Sequence, residues 1–179
     1  MATKKKPTSA TPHKITRTVP ARAASIDPPR VGELWPGQGG RYLGAIRGEQ
    51  GQPDYHLVGL DHELKGAWGP TSKVPGALSD YDGLANTQAM AAAGSKLAKK
   101  VLGLNLHGHQ DYYIAARQEA RLGYVNGKGH FPAAWHWTST QYEFLDGSAW
   151  IQSFGYGGQS TYRKSNECRA FVVRRIPIQ

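Results

Sequence analysis

The stretch Arg169-Ala170-Phe171-Val172-Val173-Arg174-Arg175-Ile176 constrains the fold more than any other part of the chain. Successive side chains of a strand point to opposite faces. Phe171 and Val173 therefore fall on one face, and Ala170 and Val172 on the other. A strand that is apolar on both faces is predicted to be central and covered on both sides. The rest of the last third also reads as β structure. Residues 135–140 are aromatic and Thr-rich, and residues 149–156 and 159–164 flank Gly157-Gly158, a two-residue hairpin signal. Within 149–156, Trp150, Gln152 and Phe154 share one face, and Ala149, Ile151 and Ser153 the other.

Upstream, Trp35-Pro36-Gly37-Gln38-Gly39-Gly40 is a turn-rich lead-in to two predicted strands, 41–47 and 54–60. Gly48 to Pro53 between them has hairpin chemistry. Residues 61–79 read as loop, punctuated by Gly66, Gly69, Pro70, Pro75 and Gly76. Met90, Ala93, Leu97 and Val101 recur at helical spacing and predict one helix over 84–102. Ser79, Asp80 and Asp82 are its cap candidates, and Gly103 its stop. A second helix is expected over 117–126, weakened by about 1 kcal/mol at Gly123. There is no internal repeat. The order of elements predicts an α+β domain, and 179 residues fit one such domain plus an extension.

That extension is residues 1–30; the domain is 31–179. The first 30 residues lack apolar periodicity and are rich in Thr, Ser, Pro, Ala and Lys, so an arm disordered unless bound is expected. Lys4, Lys5, Lys6, Lys14, Arg17, Arg22 and Arg30 stand there against Asp27 alone, a net +6. The other 149 residues carry 15 basic and 12 acidic groups, so most of the overall +9 belongs to the arm. One cysteine excludes an internal disulfide and a cysteine-built zinc site. No apolar run reaches the length of a membrane helix, and no hydrophobic signal follows the basic start, so neither membrane insertion nor secretion by that route is expected.

Four stretches stand in register: Asp111-Tyr112-Tyr113-Ile114-Ala115-Ala116-Arg117-Gln118-Glu119; Trp135-His136-Trp137-Thr138-Ser139-Thr140-Gln141-Tyr142; Ala149 to Phe154 with Gly157-Gly158-Gln159; and Arg169 to Arg175. In this order they resemble a phage and bacterial family with a C-type-lectin-like fold. The family includes the C-terminal domain of a bacterial collagen-like adhesin and is related to retroelement-diversified variable proteins. Trp35 to Gly40 and Pro53 to Leu57 resemble phage-encoded members, and the resemblance spans about 31–177. It implies two helices flanking a twisted antiparallel sheet, with a hairpin-rich C-terminal half that displays side chains. Trp137 and Trp150 match core positions of the family, and Phe154, Phe171 and Val173 join them as the expected structural core. Members often carry Pro-Ser where this chain has Ala115-Ala116, and loss of such a serine cap costs about 1 kcal/mol.

The resemblance also implies a binding face in the C-terminal half, with candidate contacts Tyr142, Glu143, Phe144, Asp146, Tyr156, Gln159, Tyr162, Lys164 and Asn166. Tyr supplies contact area cheaply, and polar neighbours supply hydrogen bonds. His107-Gly108-His109 with Asp111 is the most metal-like cluster, but no third histidine has a closing spacing, so an ordinary polar loop is expected and no metal or cofactor. His56, His62, His130 and His136 are isolated. Cys168 reads as a small half-buried hydrophobe. Related formylglycine-generating enzymes use a cysteine pair that this chain lacks, and the Glu-Pro-Asn loop of calcium-dependent lectins is absent.

These readings lead to a non-enzymatic virion protein, a tail or tail-fibre component for host attachment. Its basic arm would tether it to other virion proteins, with a cell-surface protein or glycan as receptor. It would be made in the bacterial host cytoplasm and be a homo-oligomer in the particle. A head or tail decoration or adaptor protein without receptor binding is the first alternative. A nucleic-acid-binding accessory protein is the second, since the arm could release counterions from a phosphate backbone. A formylglycine-generating-type enzyme ranks last.

Overall fold

The computed structural model describes residues 27–49 and 51–179. The arm residues Lys4, Lys5, Lys6, Lys14, Arg17 and Arg22 lie outside the described residues. In chain order, β1 (Leu34–Trp35), β2 (Gly40–Ile46), β3 (Tyr55–Gly59) and β4 (Lys65–Ala67) precede a 3₁₀ turn at Pro75–Ala77. Then come α1 (Gly83–Ala92), α2 (Lys96–Leu102), β5 (Tyr113–Ile114) and α3 (Arg117–Gly127). The last third holds β6 (Trp135–Gln141), β7 (Ser148–Ser153), β8 (Gln159–Arg163), β9 (Glu167–Ala170) and β10 (Val172–Pro177). Among the described residues the fold is α+β, with three helices and two five-stranded sheets ordered β1-β2-β3-β10-β5 and β4-β9-β6-β7-β8. All pairings are antiparallel except β6 with β9. Two helices around one antiparallel sheet is therefore corrected to three helices and two sheets.

The expected strand 169–176 is two strands. β9 lies between β4 and β6 in one sheet, and β10 between β3 and β5 in the other. Phe171 is the crossing point: its N–H donates to Trp137 O (3.2 Å), and its carbonyl accepts from Ala115 N (2.9 Å). The two-faced apolar pattern holds across this break. Ala170 and Val172 join Trp68, Met90, Leu97, Val101, Trp137 and Ile151 in one core. Phe171 and Val173 join Leu43, Leu57, Tyr113, Phe131 and Phe154 in a second. Trp137, Phe154, Phe171 and Val173 are buried as expected for core residues, whereas Trp150 is only half-buried. It lies on the β7 face opposite Ala149 and Ile151, where α3 covers only part of it.

The single helix over 84–102 is corrected to two. Gly94 adopts a left-handed φ of 101°, and Ser95 then starts α2. Its Oγ accepts from Ala98 N (3.2 Å) and donates to Trp68 O (2.5 Å). Met90, Leu97 and Val101 still pack into the same core, whereas Ala93, the fourth residue of the expected face, ends α1 and is exposed. The loop 61–79 is corrected too: Lys65–Ala67 pairs with β9, and Trp68 is fully buried with Nε1 donating to Thr138 O (2.9 Å). The Gly157-Gly158 turn is longer than two residues, running over 154–158 between β7 and β8. Gly157 has a φ of 84° and sits against the Tyr124 ring, where a Cβ has no room.

α3 starts without a side-chain cap at Ala116, and its first N–H groups are satisfied from elsewhere. Ala116 N donates to Glu119 Oε2 (2.7 Å), Arg117 N to Thr140 Oγ1 (3.0 Å) and Gln118 N to Asp80 O (2.9 Å). The helix's own Glu119 and two neighbouring segments thus replace the missing serine. Gly123, a weak helix former, is required by packing, since a Cβ there would overlap the Phe171 ring. Glu119 is fully buried beneath α3. Its Oε1 accepts from the hydroxyls of Tyr55 and Tyr113, each at 2.7 Å. Burial raises its pKa to about 7, against the opposing pull of these donors.

Candidate functional site

The sheet β6-β7-β8 is a meander whose first loop, residues 142–147, is closed by the backbone. Tyr142 N donates to Ser148 O (3.1 Å), Ser148 N to Leu145 O (2.9 Å), and Lys164 N to Gly147 O (2.9 Å). Glu143, Phe144, Leu145 and Asp146 are exposed on it, Phe144 to 78%. Tyr142 is half-buried, with its ring edge-on to Phe144 (5.6 Å) and to Trp150 (5.4 Å). The Arg117 guanidinium lies 3.7 Å from the Trp150 ring centroid. Its Nε donates to Gln159 Oε1 (3.0 Å), and NH1 pairs with Asp80 Oδ2 (3.4 Å). Three aromatic rings and one arginine therefore form a continuous tip, fixed from α3 and from the segment before α1. Such rigid aromatics with a planar cation suit recognition of a partner surface.

Lys164 does not face solvent, and its expected role as a surface contact is corrected. It is fully buried below the loop. Its Nζ donates to Gln141 Oε1 (2.6 Å) and Ser72 O (3.0 Å) and lies 4.5 Å from the Trp68 ring centroid. Gln141 Oε1 also accepts from Val74 N (2.7 Å), so this cluster ties residues 68–74 to the underside of the tip. Desolvation lowers the Lys164 pKa to about 8, with the Asp146 charge pulling it back up.

The remaining candidates do not all converge. Tyr142, Glu143, Phe144 and Asp146 share the loop before β7. Tyr156 is in the turn after β7, roughly 20 Å away for a strand of this length. It is 69% exposed and packs edge-on to Trp135 (5.5 Å). Gln159 is half-buried and engaged internally, donating to Arg117 O and Gln152 Oε1, both at 3.0 Å. Tyr162 stacks at a tilt on Trp137 (5.7 Å), on the opposite face of the sheet from Trp150. Asn166 is half-buried in the turn between β8 and β9, its N–H bound to Arg163 O (3.0 Å). Arg117 and Trp150 are contributors that the sequence reading placed elsewhere. The Trp150 face was legible from alternation, but the arginine that covers it comes from another element.

The other clusters have structural partners. Asp111 is held by Arg174 in a bidentate pair (2.8 and 2.9 Å), and His109 Nε2 is 2.8 Å from Gly37 O. No group of three or more His, Cys, Asp or Glu able to hold a metal occurs among the described residues. Cys168 is half-buried with its thiol at 3.0 Å from Trp135 O, and burial pushes its pKa up, away from thiolate. His136 is buried against Phe154 (4.7 Å), and desolvation lowers its pKa to about 4. A cleft of about 270 Å³ between the β2–β3 loop and the start of α1 is lined by Arg47, Tyr55, Tyr81, Asp82 and Arg175. These residues are too far apart in sequence for any local pattern to have signalled it. No helix among the described residues is long and apolar enough to cross a membrane. No family model matches the chain, and no curated protein matches it.

Proposed function

We propose that this chain is a non-enzymatic virion protein with a C-type-lectin-like domain, a tail or tail-fibre component that attaches to a host surface through the tip at residues 142–147. The observation that carries this reading is the exposed Phe144 at the head of a Tyr142–Trp150–Arg117 stack. Large apolar side chains at a rigid loop tip suit a protein–protein contact, where one or two aromatics dominate affinity. The meander below and the buried Lys164 cluster keep that tip in one shape, so little ordering cost is left for binding. The basic arm, net +6 over residues 1–30, serves as the tether to other virion proteins.

The test is adsorption of particles carrying Phe144→Ala. Adsorption should fall about tenfold or more, in line with loss of a hot-spot aromatic. Particle yield should be unchanged. Normal adsorption by particles that contain the variant protein would sink the receptor-binding reading. Particles assembled normally without residues 1–30 would sink the tether.

A further inference from the structure

β8 is the outer strand of its sheet and pairs with β7 alone. Two flanking backbone bonds fix which way its polar groups face. Ser153 N donates to Gly158 O and Lys164 N to Gly147 O, each at 2.9 Å, in the same register that sets Ser160 opposite Ile151 and Tyr162 opposite Ala149. Bonded positions alternate along an antiparallel ladder. Ser160 and Tyr162 therefore aim their N–H and C=O groups at β7, while Gln159, Thr161 and Arg163 aim theirs away from the sheet. Arg163 O is taken by Asn166 N (3.0 Å); the other outward groups have no partner strand among the described residues. The strand has no proline or bulge to blunt it, and its one charged side chain, Arg163, stands at its end.

We infer that β8 pairs antiparallel with β8 of a second copy of this chain, across a twofold axis at Thr161. The five-residue strand is self-complementary in this register. Thr161 meets Thr161 of the second copy, and Gln159 meets Arg163 of the second copy, which offers its N–H while its carbonyl stays with Asn166 N. Arg163 is the only charged residue on the strand, and in this register it opposes an amide, not its like. On the other face Tyr162, 42% exposed, comes to lie opposite Ser160 of the second copy and gains cover. The rival occupant is the chain's own segment 13–19, which carries Lys14 and Arg17 and no acidic residue to offset Arg163. That charge conflict favours the second copy. The pairing is isologous and joins two five-stranded sheets into one. It needs only the β8 edge and stands whether or not the tip binds a receptor.

The experiment is light scattering and sedimentation equilibrium of the full chain from micromolar to millimolar concentration. The mass should rise toward twice the monomer value. Thr161→Pro removes an outward N–H and leaves the β7 ladder intact, and should weaken the dimer about tenfold or more. Thr161→Lys sets two ammonium groups opposite each other and should abolish the dimer at low salt, with partial recovery at high salt. Thermal melts report whether each variant is folded; if Thr161→Pro unfolds, Thr161→Lys decides. A wild-type chain that stays monomeric throughout overturns the inference. So does a dimer that neither variant changes, or a monomer that instead binds a synthetic peptide of residues 13–19.

Discussion

Glu119 lies under α3 and Lys164 under the loop before β7, and both side chains are fully buried. Neither has an ion-pair partner among the described residues. The protein replaces water around them in different ways. The carboxylate accepts from Tyr55 on β3, Tyr113 on β5 and the backbone of Ala116 before α3. The ammonium has two oxygen acceptors, from Gln141 and Ser72, and the face of Trp68. Three donors that converge from separate elements make Glu119 a junction. Lys164 has fewer partners to strand, since Gln141 Oε1 also accepts from Val74 N. One buried ionisable group thus organises the fold, and the other props up a loop.

The largest expected effect is from Glu119→Ala, which strands three buried donors and opens a cavity; we expect a loss of about 4 kcal/mol in urea unfolding. A loss below about 1 kcal/mol would break the comparison. The pH dependence comes next. The folded-state pKa of Glu119, about 7, is above its ordinary value of 4.5. Its stabilisation is therefore complete below 4.5 and is lost as pH rises through 7, by up to about 3 kcal/mol. Glu119→Gln should remove that slope. Lys164 has the opposite sense: its folded-state pKa of about 8 is below the ordinary 10.5. Its contribution is present above 10.5 and is lost as pH falls through 8, so Lys164→Met should flatten the alkaline limb. At pH 7 the same variant should shift stability by no more than about 1 kcal/mol, because lost hydrogen bonds offset the relief of a desolvated charge. The smallest effect is Phe144→Ala, within about 0.5 kcal/mol in a thermal melt, since that ring is largely in solvent.

The same two residues show what the sequence made legible. Glu119 stands just inside the helix expected over 117–126, and that helical position alone placed it on α3. Its buried state depends on Tyr55, which is far away in the chain, and no local period reports that. Lys164 sits in the polar run Arg163-Lys164-Ser165-Asn166, which reads as surface. It is buried because residues 68–74, read as featureless loop, fold back over it. Short-range signals did place most strands, α3 and the two-sided burial of residues 169–176. They missed the break at Gly94 because Met90, Leu97 and Val101 keep helical spacing across it. They missed the crossing at Phe171 because alternation continues through a change of sheet. At the candidate tip, Tyr142 and Phe144 were expected contacts, whereas Arg117 over Trp150 is a tertiary contact.

The crossing at Phe171 has a consequence for biosynthesis. Residues 167–177 supply an interior strand to each sheet. A nascent chain whose ribosome has not yet released them holds two sheets, each with an empty slot and exposed ladder edges. Neither core is complete without this segment, since Ala170 and Val172 belong to one and Phe171 and Val173 to the other. A product interrupted upstream is left with both slots open, the kind of exposed edge that proteases and chaperones engage. Phe171 thereby joins the closing of both cores to one short segment.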